Sequence, residues 1–208
     1  MNAAEDARSA LKVARVALAT AEAAARAVGV FDEPRVVTAE RINLVGPDGG
    51  LRMVITANTH EIYARGEVIE HPGGRGGPGL IFITPEGTEC GGITWDVDGG
   101  SFTIDSYEQD QAISIIHRDD DGVRSSVIEF IDRPSWSLLD MITGGHAGQE
   151  PRDGPVTRMR LAREEDGTVG LVINDREGNK RLWLGVDKYG KPSVDLFGPN
   201  GGPSGSLG

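Results

Sequence analysis

Cysteine is nearly absent from this sequence of 208 residues, since Cys90 is the only one. A single cysteine cannot form a disulfide within the chain, so the simplest inference is a reducing, cytoplasmic location. Cys90 lies in the segment Glu89-Cys90-Gly91-Gly92, with no histidine near it in the sequence. This context favours a small packing residue, with a reactive thiol as the second interpretation.

Long hydrophobic runs are also missing. A membrane-spanning helix needs about 20 consecutive apolar residues. In the alanine-rich N-terminal segment, charges interrupt every apolar stretch, at Lys12, Arg15, Glu22 and Arg26 among others. We therefore expect neither a signal peptide nor a membrane span in this chain.

Positive charge is scarce, with 21 Lys and Arg against 32 Asp and Glu and a net charge of −11. Phosphate backbones and anionic lipid surfaces repel a surface of this charge, so we expect no nucleic acid partner. Motifs for binding nucleotides or metals are not present in a specific form, and we expect no cofactor.

The N-terminal segment, residues 1–30, is predicted to be one long helix. Residues 3–28 contain no glycine or proline and are dominated by alanine, the residue with the highest helix propensity. Its apolar residues form an a/d heptad seam at Ala4, Leu11, Leu18 and Ala25 and, offset by three, Ala7, Ala14, Ala21 and Val28. Three interpretations stay open: a coiled coil with sister chains, packing on the protein's own sheet, and a helix lying on the surface.

Residues 31–200 are predicted to form a β-hairpin domain. Apolar and polar residues alternate with a period of two, for example at Phe102-Thr103-Ile104, which indicates antiparallel strands with one apolar face each. Many of the 30 glycines follow Asp, Glu or Asn, a turn signal. Near the C-terminal end they are spaced by about one strand and one turn, at Gly167, Gly178, Gly190 and Gly201.

An internal repeat supports the same interpretation. The segment INLVGPDGG at residues 42–50 resembles VDLFGPNGG at residues 194–202, as expected for a repeated strand and turn. The predicted fold class is all-β, with antiparallel glycine-turned hairpins in a barrel or prism-like arrangement and one long N-terminal α-helix. After the second repeat we expect a disordered Gly/Ser/Pro tail over residues 201–208.

The hairpin pattern breaks between Gly99 and Gly122, where a glycine turn is expected near residue 110. The chain instead reads Asp-Ser-Tyr-Glu-Gln-Asp-Gln over residues 105–111. Deviations from a sequence's own rule mark candidate functional sites. The candidate catalytic residues are Asp105, Tyr107, Glu108 and Asp110, as acid/base groups.

Two other roles are open for these acids. Glu86 and Glu89, together with Asp105 and Glu108, have the oxygen ligands that Ca²⁺ or Mg²⁺ prefers. Alternatively, the side chains cap a bulged turn and tie neighbouring loops together.

Three motifs in residues 31–130 are specific enough to compare with known proteins: E-R-I-N-x-V-x-P-D-G, E-G-x-E-x-G-G and D-x-Y-x-Q-D-Q. They resemble a family of bacterial proteins to which no activity is attached. The resemblance therefore implies relatedness and no catalytic residue, ligand or partner.

The sequence favours a structural or interaction module that self-assembles through the N-terminal helix and the β-body. A homo-oligomer is expected, with a trimer as the first choice, because a heptad helix beside an edge-rich β-body favours symmetric association. The alternative is a small enzyme or a small-molecule-binding barrel that uses the acidic cluster at residues 105–111.

Overall fold

The structure is a computed structural model, and it describes residues 3–27, 36–70, 77–137, 140 and 154–207. The chain divides into two compact units, residues 1–39 and residues 40–208. The first unit contains helix α1, Ala3–Ala27, and the second contains the strands.

Helix α1 has 25 residues, which corresponds to a length of about 38 Å. It confirms the predicted N-terminal helix, and positions 1–2 and 28–30 of the predicted range lie outside the described residues. Leu11 and Leu18 of the predicted seam are 54% and 62% exposed. Within the described residues, no helix is both long enough and apolar enough to cross a membrane.

The second unit is rich in strands. Within the described residues these are β1 (Arg41–Val45), β2 (Leu51–Thr56), β3 (Glu61–Ala64), β4 (Glu67–Glu70), β5 (Gly79–Ile83), β6 (Glu89–Asp96), β7 (Gly99–Asp105), β8 (Gln111–Asp120), β9 (Val123–Asp132), β10 (Val156–Arg163), β11 (Val169–Asn174), β12 (Lys180–Val186), β13 (Pro192–Phe197) and β14 (Pro203–Leu207). The predicted class, antiparallel β with an N-terminal helix, is confirmed.

Twelve of these strands form one sheet in the order β1-β2-β5-β6-β7-β8-β9-β10-β11-β12-β13-β14. Every neighbouring pair is antiparallel, so the sheet is a meander in chain order, interrupted once by the separate β3–β4 hairpin. Of the two predicted arrangements, the barrel does not form within one chain. Closure needs a β1–β14 pair, and in the described part of the chain these two strands are the edges of the sheet.

Seven turns of this sheet share one backbone pattern over five residues. The first N–H donates to the fifth carbonyl, and the fourth N–H donates to the first carbonyl, in the turns 46–50, 84–88, 106–110, 164–168, 175–179, 187–191 and 198–202. In six of them the fourth residue is a glycine with φ between 71° and 89°, a region that strongly favours glycine. The predicted glycine turns are therefore present, including the regularly spaced set at the C-terminal end.

The C-terminal segment differs from its prediction. Residues 201–208 were expected to be a disordered tail, yet Pro203–Leu207 forms β14, which pairs with β13 from Val194↔Leu207 to Phe197↔Pro203. The physical reason is the turn at 198–202, which has the same two backbone hydrogen bonds as the 46–50 turn, reverses the chain and returns it along the free edge of β13.

The buried core is small and lies at one end of the sheet. Val54, Tyr63, Ile81 and Ile83 form it, with Leu51 packed against them. Val54 and Ile81 are cross-strand neighbours, and Tyr63 belongs to β3. The β3–β4 hairpin therefore contributes to the core on that face of the first strands.

Candidate functional site

One row of register positions crosses the whole sheet and carries an apolar residue on every strand. Consecutive cross-strand pairs link Ile42, Ile55, Leu80, Ile93, Phe102, Ile115, Ile128, Leu161, Leu171, Leu184, Val194 and Leu207. We call this set the first apolar row. Directly paired residues of an antiparallel sheet lie on the same face, so the row is one continuous line across twelve strands.

A second row lies two residues further along each strand, on the same face. It contains Leu44, Met53, Phe82, Gly91, Ile104, Ile113, Phe130, Met159, Ile173, Leu182, Leu196 and Gly205. Side chains of the two rows touch, since the rings of Phe82 and Phe102 meet edge to face at a centroid distance of 6.5 Å. The two rows together, called the apolar strip below, contain no charged or hydrogen-bonding side chain.

Many side chains of the apolar strip are exposed in the single chain, and most of the others are half-buried. In the first row Ile115 is 45% exposed and Leu184 48%, and in the second row Leu196 is 48% exposed. Large apolar side chains are normally covered in a folded protein, and a contiguous uncovered set marks an interaction surface.

The opposite face of the sheet carries a mixture of polar and apolar residues from β8 to β13. Its central line runs through Ser114, Glu129, Arg160, Val172, Trp183 and Asp195. Arg160 Nε lies 3.3 Å from Glu129 Oε1, and Trp183 Nε1 donates to Ser193 Oγ at 3.1 Å. Ile116, Val127 and Ala162 also lie on this face, so it carries apolar groups among polar ones, and the continuous apolar line is on the face of the strip.

A second feature is the junction of three turns, formed by the β3–β4 tip at Arg65-Gly66 and the turns 84–88 and 106–110. Gly66 N–H donates to the Gly87 carbonyl at 3.1 Å, and Arg65 N–H donates to Thr88 Oγ1 at 3.0 Å. A Cβ on Gly87 would lie 2.6 Å from backbone atoms of Gly66, so only glycine allows this approach. We call this region the three-turn junction.

Arg65 connects the junction to the acidic turn. Its Nε and Nη2 donate to the two carboxylate oxygens of Glu108 at 2.6 and 2.5 Å, and its Nη1 lies 2.9 Å from Asp140 Oδ1. The Arg65 guanidinium lowers the pKa of Glu108, and Glu108 followed by Asp140 raises the pKa of Arg65. Both groups are therefore held in their charged forms.

The acidic turn is the exception among the seven five-residue turns. It has the same two backbone bonds, from Ser106 and Gln109, but its left-handed residue is Glu108, with φ of 52°. A side chain in this conformation costs free energy, which other contacts must offset. Arg65 is also left-handed, with φ of 51°, so two strained residues pair with each other.

The other predicted catalytic residues are spread over the same turn. Asp105 ends β7 opposite Gln111, Tyr107 is 63% exposed, and Asp110 Oδ2 lies 3.8 Å from Arg133 Nη2. A general acid at neutral pH needs a raised pKa, whereas that of Glu108 is lowered. The contacts of Glu108 match the tying role that the sequence left open.

The predicted metal ligands do not assemble. Glu86 lies exposed in the turn 84–88 and Glu89 begins β6. In the part of the chain that the structure describes, there is no group of three or more His, Cys, Asp or Glu side chains able to hold a metal ion. The four-carboxylate site of Glu86, Glu89, Asp105 and Glu108 is therefore not formed.

Burial raises the pKa of the Cys90 thiol, with Asp105 and Glu89 adding to the effect, which disfavours a thiolate.

A shallow cleft of about 340 Å³ lies beside the acidic turn, between residues 106–109 and 133–137. Two of its polar side chains, those of Gln109 and Arg133, are hydrogen-bonded within the protein. Arg133 donates to the backbone and side-chain oxygens of Gln111 at 2.6 and 3.2 Å, and Gln109 Nε2 donates to the Trp136 carbonyl.

Sequence reasoning missed Arg65 and the extent of the apolar strip. Arg65-Gly66 inside EIYARGEVIE is a two-residue hairpin signal, which predicts the tip but not its partner.

Neither a protein-family model nor a curated protein matches this chain.

Proposed function

We propose that this chain is a structural module that self-assembles into a homo-oligomer through the β-body, with helix α1 adding a second contact. The observation that carries the proposal is the apolar strip, which crosses twelve strands and has exposed large side chains on ten of them within the described residues. With strands about 4.8 Å apart and same-face residues about 7 Å apart, the strip covers roughly 800 Å². That is about the area one partner contributes to a stable protein interface.

The small core of the single chain supports the same proposal. Among the described residues, seven hydrophobic residues are buried, and six of them lie in β2, β3 and β5. Ala162 is the seventh, in β10. Contact between copies that covers the strip would give the strands outside β2, β3 and β5 an apolar core. Each large side chain taken fully out of water would stabilise the assembly by about 1.5–3 kcal/mol.

A second copy is the partner that this surface fits. Recognition of a different protein usually relies on complementary charge, and the strip has none. A patch repeated on identical copies can pair with itself under rotational symmetry. The net charge of −11 argues against nucleic acid as the partner, and the single cysteine supports a cytoplasmic location.

Helix α1 contributes a weaker contact in this proposal. Leu11 and Leu18 are exposed seam residues one heptad apart, as in a coiled coil. The other seam positions are alanines, except for Val28, and alanines bury little apolar area, so the helix adds to an interface that the sheet dominates.

The experiment is a charge placed in the middle of the strip. Ile115→Lys inserts an ammonium group into the first apolar row, and Val97→Lys makes the same type of change at a 94% exposed turn residue. Size-exclusion chromatography with light scattering should show an oligomer for the parent chain and Val97→Lys, and a smaller species for Ile115→Lys. Far-ultraviolet circular dichroism checks that the strands persist. An unchanged oligomer mass for Ile115→Lys would contradict the proposal.

A further inference from the structure

We infer that the apolar strip is the inner wall of a triangular prism made by three copies, with the threefold axis parallel to the two rows. This inference rests on the self-assembly proposed above and specifies its geometry. The partner is two further copies of this chain, each contributing the same strip.

The strip is long and narrow. Its two rows span twelve strands and measure about 58 by 14 Å, and on β11, β12 and β13 the same face continues with Val169, Val186 and Pro192. Its long direction runs across the strands, along the rows. A symmetry axis parallel to the rows keeps the whole length of the strip in contact with its partners.

Polar groups limit the strip on both sides near its middle. The next same-face residues beyond the first row are His117, Ser126 and Arg163 on β8, β9 and β10. His117 Nδ1 and Ser126 Oγ are 2.9 Å apart, and Arg163 Nη1 donates to the Arg124 carbonyl. Beyond the second row the β7–β8 pair ends in the acidic turn 106–110. The apolar width of about two residues is therefore fixed there.

A strip about two residues wide fits an assembly of three copies better than an assembly of two or four copies, in which each copy forms one wall. Packed sheets lie about 10 Å apart, so each backbone is about 5 Å from the centre of a core. A triangular prism with walls about 14–17 Å wide places each wall about 4–5 Å from its axis. Four walls of that width would be about 7–8 Å from the axis and would leave a void.

Two copies packed face to face would leave both long margins of the strip exposed to water. In a two-layer stack every position of a two-residue-wide strip lies at an open margin, next to water. A third sheet closes both margins, so side chains of both rows become buried. The threefold arrangement is the one that covers residues such as Leu184 and Leu196 on all sides.

The geometry makes a specific prediction about equivalent residues. With the axis parallel to the rows, the three copies of one residue lie at the same height and face each other. Leu184 is on β12, the tenth strand of the sheet. In a face-to-face dimer whose twofold axis lies between the sheets and runs parallel to the strands, the Leu184 residues of the two copies would be about 34 Å apart.

The test uses thiol cross-linking of the full chain in a Cys90→Ala background. Leu184→Cys and, on the second strand, Ile55→Cys should each give a covalent trimer with a short tris-maleimide reagent. Tyr189→Cys, at an 84% exposed turn residue, is the control and should give no trimer. Light scattering on each variant before cross-linking checks that assembly is unchanged.

The outcomes separate the two proposals. A chain that is monomeric before cross-linking overturns both self-assembly and the prism. An oligomer whose Leu184→Cys and Ile55→Cys variants give only dimers, or no product, overturns the prism and leaves self-assembly standing. Covalent trimers at both positions, with none from Tyr189→Cys, support the prism.

Discussion

Arg65 and Glu108 are 43 positions apart in the sequence, both have left-handed backbones, and their side chains form a two-bond ion pair. Arg65 is at the tip of the β3–β4 hairpin, and Glu108 is in the turn between β7 and β8. The pair fastens the hairpin beside the sheet, where Tyr63 joins the small core. The break in the glycine pattern therefore has a structural explanation.

Glu108→Gln should lower the stability of the fold in a pH-dependent way. The folded-state pKa of Glu108 lies below its usual value, so its stabilising effect is fully present above the unfolded pKa of about 4.3. The effect is lost as the pH falls through the lowered folded pKa. Urea unfolding at pH 7 should therefore show a lower midpoint for Glu108→Gln than for the parent chain, and the two curves should converge in acid.

A matched control for this prediction is Asp119→Asn. Asp119 Oδ2 accepts from Arg124 Nε at 2.7 Å within a single hairpin, so the pair ties no separate segments together. We expect a smaller loss at pH 7 than for Glu108→Gln. Equal losses for the two variants would contradict the tying role of Glu108.

Two glycines at the same turn position should respond differently to alanine. Gly190 and Gly87 have φ of 82° and 80°, but a Cβ on Gly190 meets nothing within 4 Å, whereas one on Gly87 meets the Gly66 backbone at 2.6 Å. Gly190→Ala should cost about 1–2 kcal/mol, from the left-handed backbone alone. Gly87→Ala should cost clearly more, because the hairpin tip must move away. Thermal unfolding compares the two, and similar losses would mean that the tip does not rest on this turn.

The heptad seam of α1 can be tested with two residues of equal exposure. Leu18 lies on the seam and is 62% exposed, and Val16 lies off the seam and is 61% exposed. Leu18→Ser should weaken the oligomer several-fold in sedimentation equilibrium because it removes a packed side chain, while Val16→Ser should leave association nearly unchanged. If the two serine variants associate equally well, the seam is not paired between copies.

The strands and turns were predictable because their signals are local. Alternation around Phe102 and Ile104 marks a strand wherever it pairs, and the glycine at position 190 is required by the φ of its own residue. The meander order follows from the short spacing between turns. These features need no knowledge of distant residues.

The rest depends on distant pairing. Whether β1 meets β14 decides between an open sheet and a barrel, and alternation is identical in both. Arg65 becomes notable only when the hairpin folds beside Glu108, which no spacing reveals. The sequence predicts one apolar face per strand, but only the registers of all twelve strands show that these faces form one uncovered strip.

The most direct test of the account is the mass of the intact chain in solution. One copy has a mass of 22.1 kDa. Light scattering over a series of protein concentrations should give a stable multiple of this mass, and the threefold arrangement predicts about 66 kDa, three times that value. A constant mass of 22.1 kDa at every concentration would mean that the apolar strip does not join copies of this chain, and it would contradict the account.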